Sequence, residues 1–215
     1  MVTTFRPPTM QEAVLRELRR QINDGELRPG TVIRVDAVAG AMGVSRIPVR
    51  EALMILEGEG LVTHRPHVGF AVPSLTAEEI EEIYYLRALL EDEALRRALE
   101  HSTDTDRVAA REACAAAEEA LTRGQVNAFM ENGRRLHEAV LAPCRMPRLL
   151  RLLEGLWDAT ETYRAANKLD RYGQETLQTE HQVMLDAFLA GDEQRLIRTA
   201  QLHRQHLLAG ALLGT

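Results

Sequence analysis

Gly43-Val44-Ser45-Arg46-Ile47-Pro48-Val49-Arg50-Glu51-Ala52-Leu53, continuing to Val72, is the stretch that decides the fold. Gly43 suits the left-handed backbone of a sharp helix-to-helix turn. Ser45 is placed to cap the helix that follows, and Pro48 falls in its first turn, where a missing N–H costs nothing. Val49, Leu53 and Leu56 recur at spacings of four and three with Ala52 beside them, the apolar stripe of an amphipathic helix. Arg46 and Arg50, four apart, share a different face. A helix that buries one side and presents guanidinium forks on another has what major-groove reading requires. The stretch reads as a DNA-binding element.

The flanking residues extend that reading. Gly58 and Gly60 end the helix, and Leu61-Val62-Thr63 and Phe70-Ala71-Val72 then flank His64-Arg65-Pro66-His67-Val68-Gly69. Two short β-prone runs around a turn predict a two-stranded wing. Upstream, Thr9-x-x-Glu12 is a capping box that opens a helix buried through Val14, Leu15, Leu18 and Ile22. Asn23-Asp24-Gly25 closes it, Pro29-Gly30 turns the chain, and Asp36 is expected to cap a short helix through Met42. Helix, helix, turn, recognition helix and wing is the order of a winged helix-turn-helix.

Three segments, Gly25-Glu26-Leu27-Arg28-Pro29-Gly30, Gly43 to Leu53, and Gly58-Glu59-Gly60-Leu61-Val62, resemble the N-terminal domain of GntR-family transcriptional regulators. The resemblance implies a winged helix-turn-helix domain over residues 1–73. It also implies that Arg46 and Arg50 read bases or phosphates, that Ser45 contacts the DNA backbone, and that His67 to Gly69 form a wing tip approaching the minor groove. Arg34, before the second helix, is implied as a phosphate contact.

The chain has 215 residues and a net charge of −6, which at first sight opposes DNA binding. The charge is unevenly divided. Through Pro73 there are nine Arg/Lys against eight Asp/Glu, and beyond it seventeen against twenty-four. The first part is near neutral with its arginines concentrated on one helix, so DNA binding rests on local placement and on dimer avidity. Only 4% of residues are aromatic while 45% are hydrophobic, which predicts Leu/Ala-rich helical packing. No run of eighteen apolar residues and no secretory leader are present, so a soluble, cytoplasmic chain with no membrane partner is expected. Cys114 and Cys144 have no metal or redox spacing and read as buried thiols.

Past Pro73 the hydrophobic period becomes 3.6. Thr76-x-x-Glu79 opens a helix expected to turn Ile80, Ile83, Leu86, Leu90 and Ala94 inward. Five more helices follow, at about 104–123, around Phe129, Leu136 and Val140, from Pro147 to about Ala166, around Leu177 to Phe188, and around Leu196 to Leu207. Short connections make an all-α antiparallel bundle over residues 76–212. The fold class is therefore mainly α, a winged helix-turn-helix followed by a helical bundle.

Arg87-Ala88-Leu89-Leu90-Glu91, Leu136-His137-Glu138-Ala139-Val140, Glu180-His181-Gln182-Val183-Met184, and Gly191-Asp192 followed by His203 are similar to the FCD-type ligand-binding domain of the FadR-like branch. In that family an Asp and a His four apart on one helix join two later His around a divalent metal. The resemblance assigns His137, His181 and His203 to that site, with Gly133 where the family has Asp. Three His can hold Zn²⁺ or Ni²⁺ with water or a ligand oxygen completing the shell, and whether metal is bound stays open. Glu131 and Asn132 lie about 200° and 100° away on the helix and do not substitute. Glycine inside a helix costs about 1 kcal/mol relative to alanine, so Gly133 either clears space for a larger effector or marks a decayed site. Restoring a carboxylate there is expected to tighten metal binding. Arg87 and Glu91 read as a structural or solvated salt bridge, or, by the resemblance, Arg87 faces a cavity and holds an organic carboxylate. Tyr84, Tyr85, Trp157 and Tyr163 line a pocket or belong to the core.

Together these features predict a homodimeric, ligand-responsive DNA-binding regulator. It is read as a repressor acting on a near-palindromic operator under control of a small organic acid. The alternatives are a regulator with a decayed effector site, or a metal-dependent enzyme using the three histidines. The sequence lacks His-Glu-x-x-His, a nucleophile elbow and a phosphate loop, so it is not read as an enzyme.

Overall fold

Thr9 N donates to Glu12 Oε2 at 2.7 Å and Glu12 N to Thr9 Oγ1 at 3.2 Å, the reciprocal capping box that opens α1 (Met10–Asn23). From there the computed structural model describes residues 9–65, 68–166 and 170–213. The chain divides into two units, Met1–Thr76 with Glu161–Asn167, and Ala77–Thr160 with Lys168–Thr215.

The first unit contains α1, β1 (Val32–Ile33), α2 (Val35–Met42), α3 (Arg46–Gly58), β2 (Thr63–Arg65) and β3 (Gly69–Ala71). Val14, Leu18 and Ile22 of α1 pack with Val49, Leu53 and Leu56 of α3 in one buried cluster, which also takes in Ile33, Ala39, Val62 and Val72. Gly43 closes α2 at φ 65°, a left-handed conformation in which its N–H returns to the carbonyls of Ala39 and Gly40. Only glycine adopts it without strain, and it turns the chain sharply into α3.

Three details differ from expectation. The wing is not a two-stranded hairpin, because β1 adds to it antiparallel, giving the order β1-β3-β2. Two residues are too few to carry a periodic signal. Arg34, not Asp36, occupies the N-cap of α2, and Asp36 lies in its first turn. Ser45 does occupy the N-cap of α3 with extended backbone, but its side chain makes no capping hydrogen bond.

The second unit is built from α4 (Ala77–His101), α5 (Asp104–Thr122), α6 (Val126–Leu141), a 3-10 turn (Ala142–Cys144), most of α7 (Pro147–Ala166), α8 (Arg171–Ala190) and α9 (Glu193–Leu212). Its core joins Leu95 and Ala98 of α4, Cys114 of α5, Leu136 and Val140 of α6, Leu153 and Trp157 of α7, Met184 and Phe188 of α8, and Leu196 of α9. Among the described residues 78% are helical, and no helix is long and apolar enough to cross a membrane. Helix α4 departs from expectation. It buries Ile80, Tyr84, Arg87, Glu91, Ala94, Leu95 and Ala98, while Leu86 is 39% exposed and Leu89 55% exposed. Its inner face is partly charged and its outer face partly apolar.

Candidate functional site

The first site is the outer face of α3. Burial of Val49, Ala52, Leu53 and Leu56 leaves Arg46, Arg50, Ile47 and Met54 in solvent, with Ser45 exposed at the helix start. Arg46 is not alone. Its Nε lies 2.6 Å from Asp36 Oδ1, an ion pair between the first turns of α3 and α2. Arg34, Arg50, Met54, His64, Val68 and Gly69 edge one cleft of about 280 Å³ between α3 and the wing. The sequence reading had named Arg34, Arg50 and Gly69 separately, and folding brings them together. His67 lies outside the described residues. His64 was not singled out, and Asp36 was read only as a helix cap.

The second site is the polar interior of the helical unit. Arg87 and Glu91 are 4% and 5% exposed, with Arg87 Nε donating to Glu91 Oε1 at 3.0 Å. The solvated-pair reading is therefore excluded. Trp157 Nε1 donates to the same oxygen at 2.8 Å, and Arg204 Nη1 to Glu91 Oε2 at 2.9 Å. The other arm of Arg204 is held by Asp92. Burial alone would raise the Glu91 carboxyl, but Arg87 and Arg204, with help from Trp157, bring it down to about 2. Arg87 also stacks over the Tyr84 ring, Cζ to centroid 4.6 Å. Among the described residues, two buried donors of this cluster, Arg87 Nη1 and Tyr84 Oη, have no hydrogen-bond partner. Buried donors are almost always partnered, and leaving one unmet costs about 1–3 kcal/mol. Both suit an anionic acceptor. Tyr85 is 65% exposed and, with Tyr84 and Arg204, edges an open cleft of about 370 Å³ on the outer side of this cluster.

Beside this cluster stand the three histidines. His137 (α6), His181 (α8) and His203 (α9) bring one ring nitrogen each within 4.8 Å of one another, and His137 Nε2 and His203 Nε2 are 3.1 Å apart. Burial pushes the His203 imidazole below its ordinary range, against the pull of a hydrogen bond to Glu180. It is thus a neutral ring able to offer a lone pair. A tetrahedral zinc with Zn–N near 2.0–2.1 Å separates its nitrogens by roughly 3.3 Å, so the donor set fits a divalent metal after sub-ångström to ångström adjustments. Gly133 sits against this set. A Cβ there would lie 2.8 Å from His181 Cε1.

Residues 10–72 match the bacterial regulatory proteins of the gntR family, and residues 82–206 match the FCD domain. The chain belongs to the GntR family and carries an FCD domain. Its similarity extends to the uncharacterized HTH-type transcriptional regulator YdhC of Bacillus subtilis, 27% identical over 90% of this chain and 84% of that one. It is also similar to the HTH-type transcriptional repressor GlaR of Escherichia coli, 28% identical over 90% of each chain. In fold it resembles the solved structure of McbR/YncC from E. coli, with a TM-score of 0.75, 23% identity, and 96% and 99% of the two chains covered. This GntR/FCD chain is a ligand-responsive DNA-binding transcriptional regulator. The relatives are transcriptional regulators, so the reading of the histidine cluster as a metal-dependent enzyme falls away.

Within that family the position of Gly133 now has a physical account. The His181 ring occupies the space a side chain at 133 would need. The space beside Gly133 is filled by the His181 ring rather than left open for a larger effector. The sequence reading missed Glu180 and His206, which extend the cluster. The signal was available in His203 and His206, three apart on α9 and hence on one face.

Proposed function

We propose that this regulator is a homodimeric cytoplasmic repressor that reads a near-palindromic operator and is released by a small organic acid. Arg46 and Arg50 read bases or phosphates, Arg34 and Ser45 engage the sugar-phosphate backbone, and the wing tip at His67 and Gly69 approaches the minor groove. Support comes from the exposed face of α3 and from the cleft that Arg34 and Arg50 share with the wing. A single small winged helix contacts too few base pairs for selectivity, and two copies multiply it. Tyr85, Leu86 and Leu89, turned outward on α4, supply an apolar face for the second copy. Light scattering is expected to give twice the 24.1 kDa chain mass.

The effector reading rests on one observation, the buried Arg87 Nη1 and Tyr84 Oη without partners next to three convergent histidines. A carboxylate accepting from both donors satisfies them, and a Zn²⁺ or Ni²⁺ ion held by His137, His181 and His203 would supply a Lewis-acid anchor for its other oxygen. Binding to the folded state shifts population toward the ligand-competent form and raises stability by RT ln(1 + [L]/Kd). The repressor assignment draws on GlaR, which is a repressor similar over 90% of both chains. Thermal melts with a panel of mono-, di- and hydroxycarboxylates, with and without Zn²⁺, test this. A hit is expected to raise Tm in the wild type, to fail in Arg87→Ala, and to release operator DNA. No shift with any carboxylate, in metal-loaded protein, would overturn the reading.

A further inference from the structure

Glu180 is the neighbour of His181 on α8 and is 6% exposed, yet its carboxylate is turned toward α9. Oε2 lies 2.9 Å from His203 Nδ1 and Oε1 lies 2.5 Å from His206 Nδ1. His203 and His206 stand one turn apart, so a single carboxylate spans both. An ionised carboxylate offers only acceptors, so each imidazole must present its Nδ1 as N–H. In His203 the lone pair then falls on Nε2, the atom that faces His137 Nε2 at 3.1 Å. Glu180 is not itself a member of the convergent donor set. It touches the far side of the His203 ring.

We propose that Glu180 is the positioning residue of the three-histidine site, holding His203 with Nε2 aimed inward and supplying through that ring the negative charge the site does not receive from position 133. This rests on the metal reading above. A ligating histidine backed by a carboxylate is oriented, fixed in one tautomer and made more basic, and removal of such a partner typically costs 10–100-fold in metal affinity. Here the arrangement has a particular reason. Gly133 leaves the site with three neutral ligands, and the buried anion behind His203 offsets part of the metal's charge. His206, whose side chain is 45% exposed, occupies the second oxygen and keeps the carboxylate turned toward α9, away from its sequence neighbour His181.

The test is zinc affinity of the full chain, read by competition with a chromophoric chelator, in wild type, Glu180→Gln and His203→Ala. Glutamine preserves the size and one acceptor but removes the charge. The expected result is a 10–100-fold weaker zinc affinity in Glu180→Gln, with the metal-free melting temperature close to wild type, and a larger loss in His203→Ala. Wild-type affinity in folded Glu180→Gln would overturn the proposal while leaving the metal reading intact. A wild type that takes up no zinc would overturn both. If the variant does not fold, long-range ¹H–¹⁵N spectra of wild type decide it: His203 is expected as the Nδ1–H tautomer, and an Nε2–H tautomer would overturn the proposal.

Discussion

On α3 two charged residues four apart, Arg46 and Arg50, stand in solvent; on α4 two charged residues four apart, Arg87 and Glu91, are buried. The helices solve opposite problems. Helix α3 buries a continuous Val49–Leu53–Leu56 stripe against α1 and leaves its arginines in solvent, Arg46 beside the equally exposed Asp36. Helix α4 gives part of its inner face to charge, and each charge there is met by another from the same unit, Glu91 by Arg87 and Arg204, and Arg204 in turn by Asp92. Its apolar Leu86 and Leu89 face outward instead. A charged pair at helical spacing therefore says nothing about its own direction. The apolar residues around it decide that, and a charge they leave buried is met by opposite charges from the same unit.

The comparison breaks first at α3. The double variant Arg46→Ala/Arg50→Ala is expected to reduce operator binding to the non-specific level with the fold unchanged. Each bidentate base contact is worth about 1–3 kcal/mol of discrimination, and in a dimer each loss counts at both half-sites. Operator titration at fixed salt, with circular dichroism as control, reads the outcome. Retained specific binding by the folded variant would remove α3 as the reading helix.

The converse substitution on α4 should damage the fold. Glu91→Ala leaves Arg87 and Arg204 buried without their carboxylate, and breaking a buried pair by removing one partner costs about 3–5 kcal/mol. Urea unfolding measures it. The same group sets an acid limit in the wild type. Glu91 has its carboxyl lowered from an ordinary 4.5 to about 2, so the folded state binds fewer protons than the unfolded one. Its contribution, on the order of 3 kcal/mol, is present in full above pH 4.5 and is lost as pH falls toward 2. Unfolding free energies across pH 2–6 should show this slope in wild type and a reduced one in Glu91→Gln.

How legible each region was follows from the same contrast. Helix α3, the Gly43 turn and the capping box at Thr9 were readable because their signals are local, a few residues each with one conformational meaning. Strand β1 was not, since Val32–Ile33 becomes a strand only by pairing with β3. Asp36 was misplaced by two residues because an aspartate suits both an N-cap and a first turn. The inner face of α4 was misread because apolar periodicity assigns Leu86 to the core and cannot anticipate a core built of ion pairs. His137, His181 and His203 were named through family resemblance alone, as three sites on three helices carry no spacing signal. Glu180 escaped because its partners lie over twenty residues away.

Gly133 sharpens the comparison at intermediate size. On sequence grounds an aspartate there adds a ligand one turn from His137. In the folded protein its Cβ meets His181 Cε1 at 2.8 Å, so the buried ring must move before any carboxylate can bind. Overpacking of this kind costs about 1–3 kcal/mol, partly offset by about 1 kcal/mol from replacing a helical glycine. Gly133→Asp is therefore expected to lower stability modestly and to weaken zinc binding by displacing His181. Tighter zinc binding in this variant would show that the ring has somewhere else to go.

The smallest effect belongs to Asp36, and it tests whether the solvent-facing charges of α3 are as free as they look. Arg46 Nε is held by Asp36 Oδ1 at 2.6 Å, with both side chains about 70% exposed. A pair this open contributes between 0 and about 1 kcal/mol to stability, so Asp36→Ala should leave folding unchanged. On DNA the consequences diverge. An arginine held through Nε still presents its two terminal nitrogens in a fixed plane, the geometry of a bidentate contact to guanine, while its charge is largely cancelled toward phosphates. Asp36→Ala should then raise affinity for random-sequence DNA, steepen the salt dependence by about one unit for each further phosphate that the freed guanidinium neutralises, and narrow the ratio of operator to random binding. If Asp36 only repels phosphates, both affinities rise together and the ratio stays constant. Titrations of operator and random duplex at three salt concentrations separate the outcomes, and a constant ratio would leave Arg46 as independent of its neighbours as Arg50.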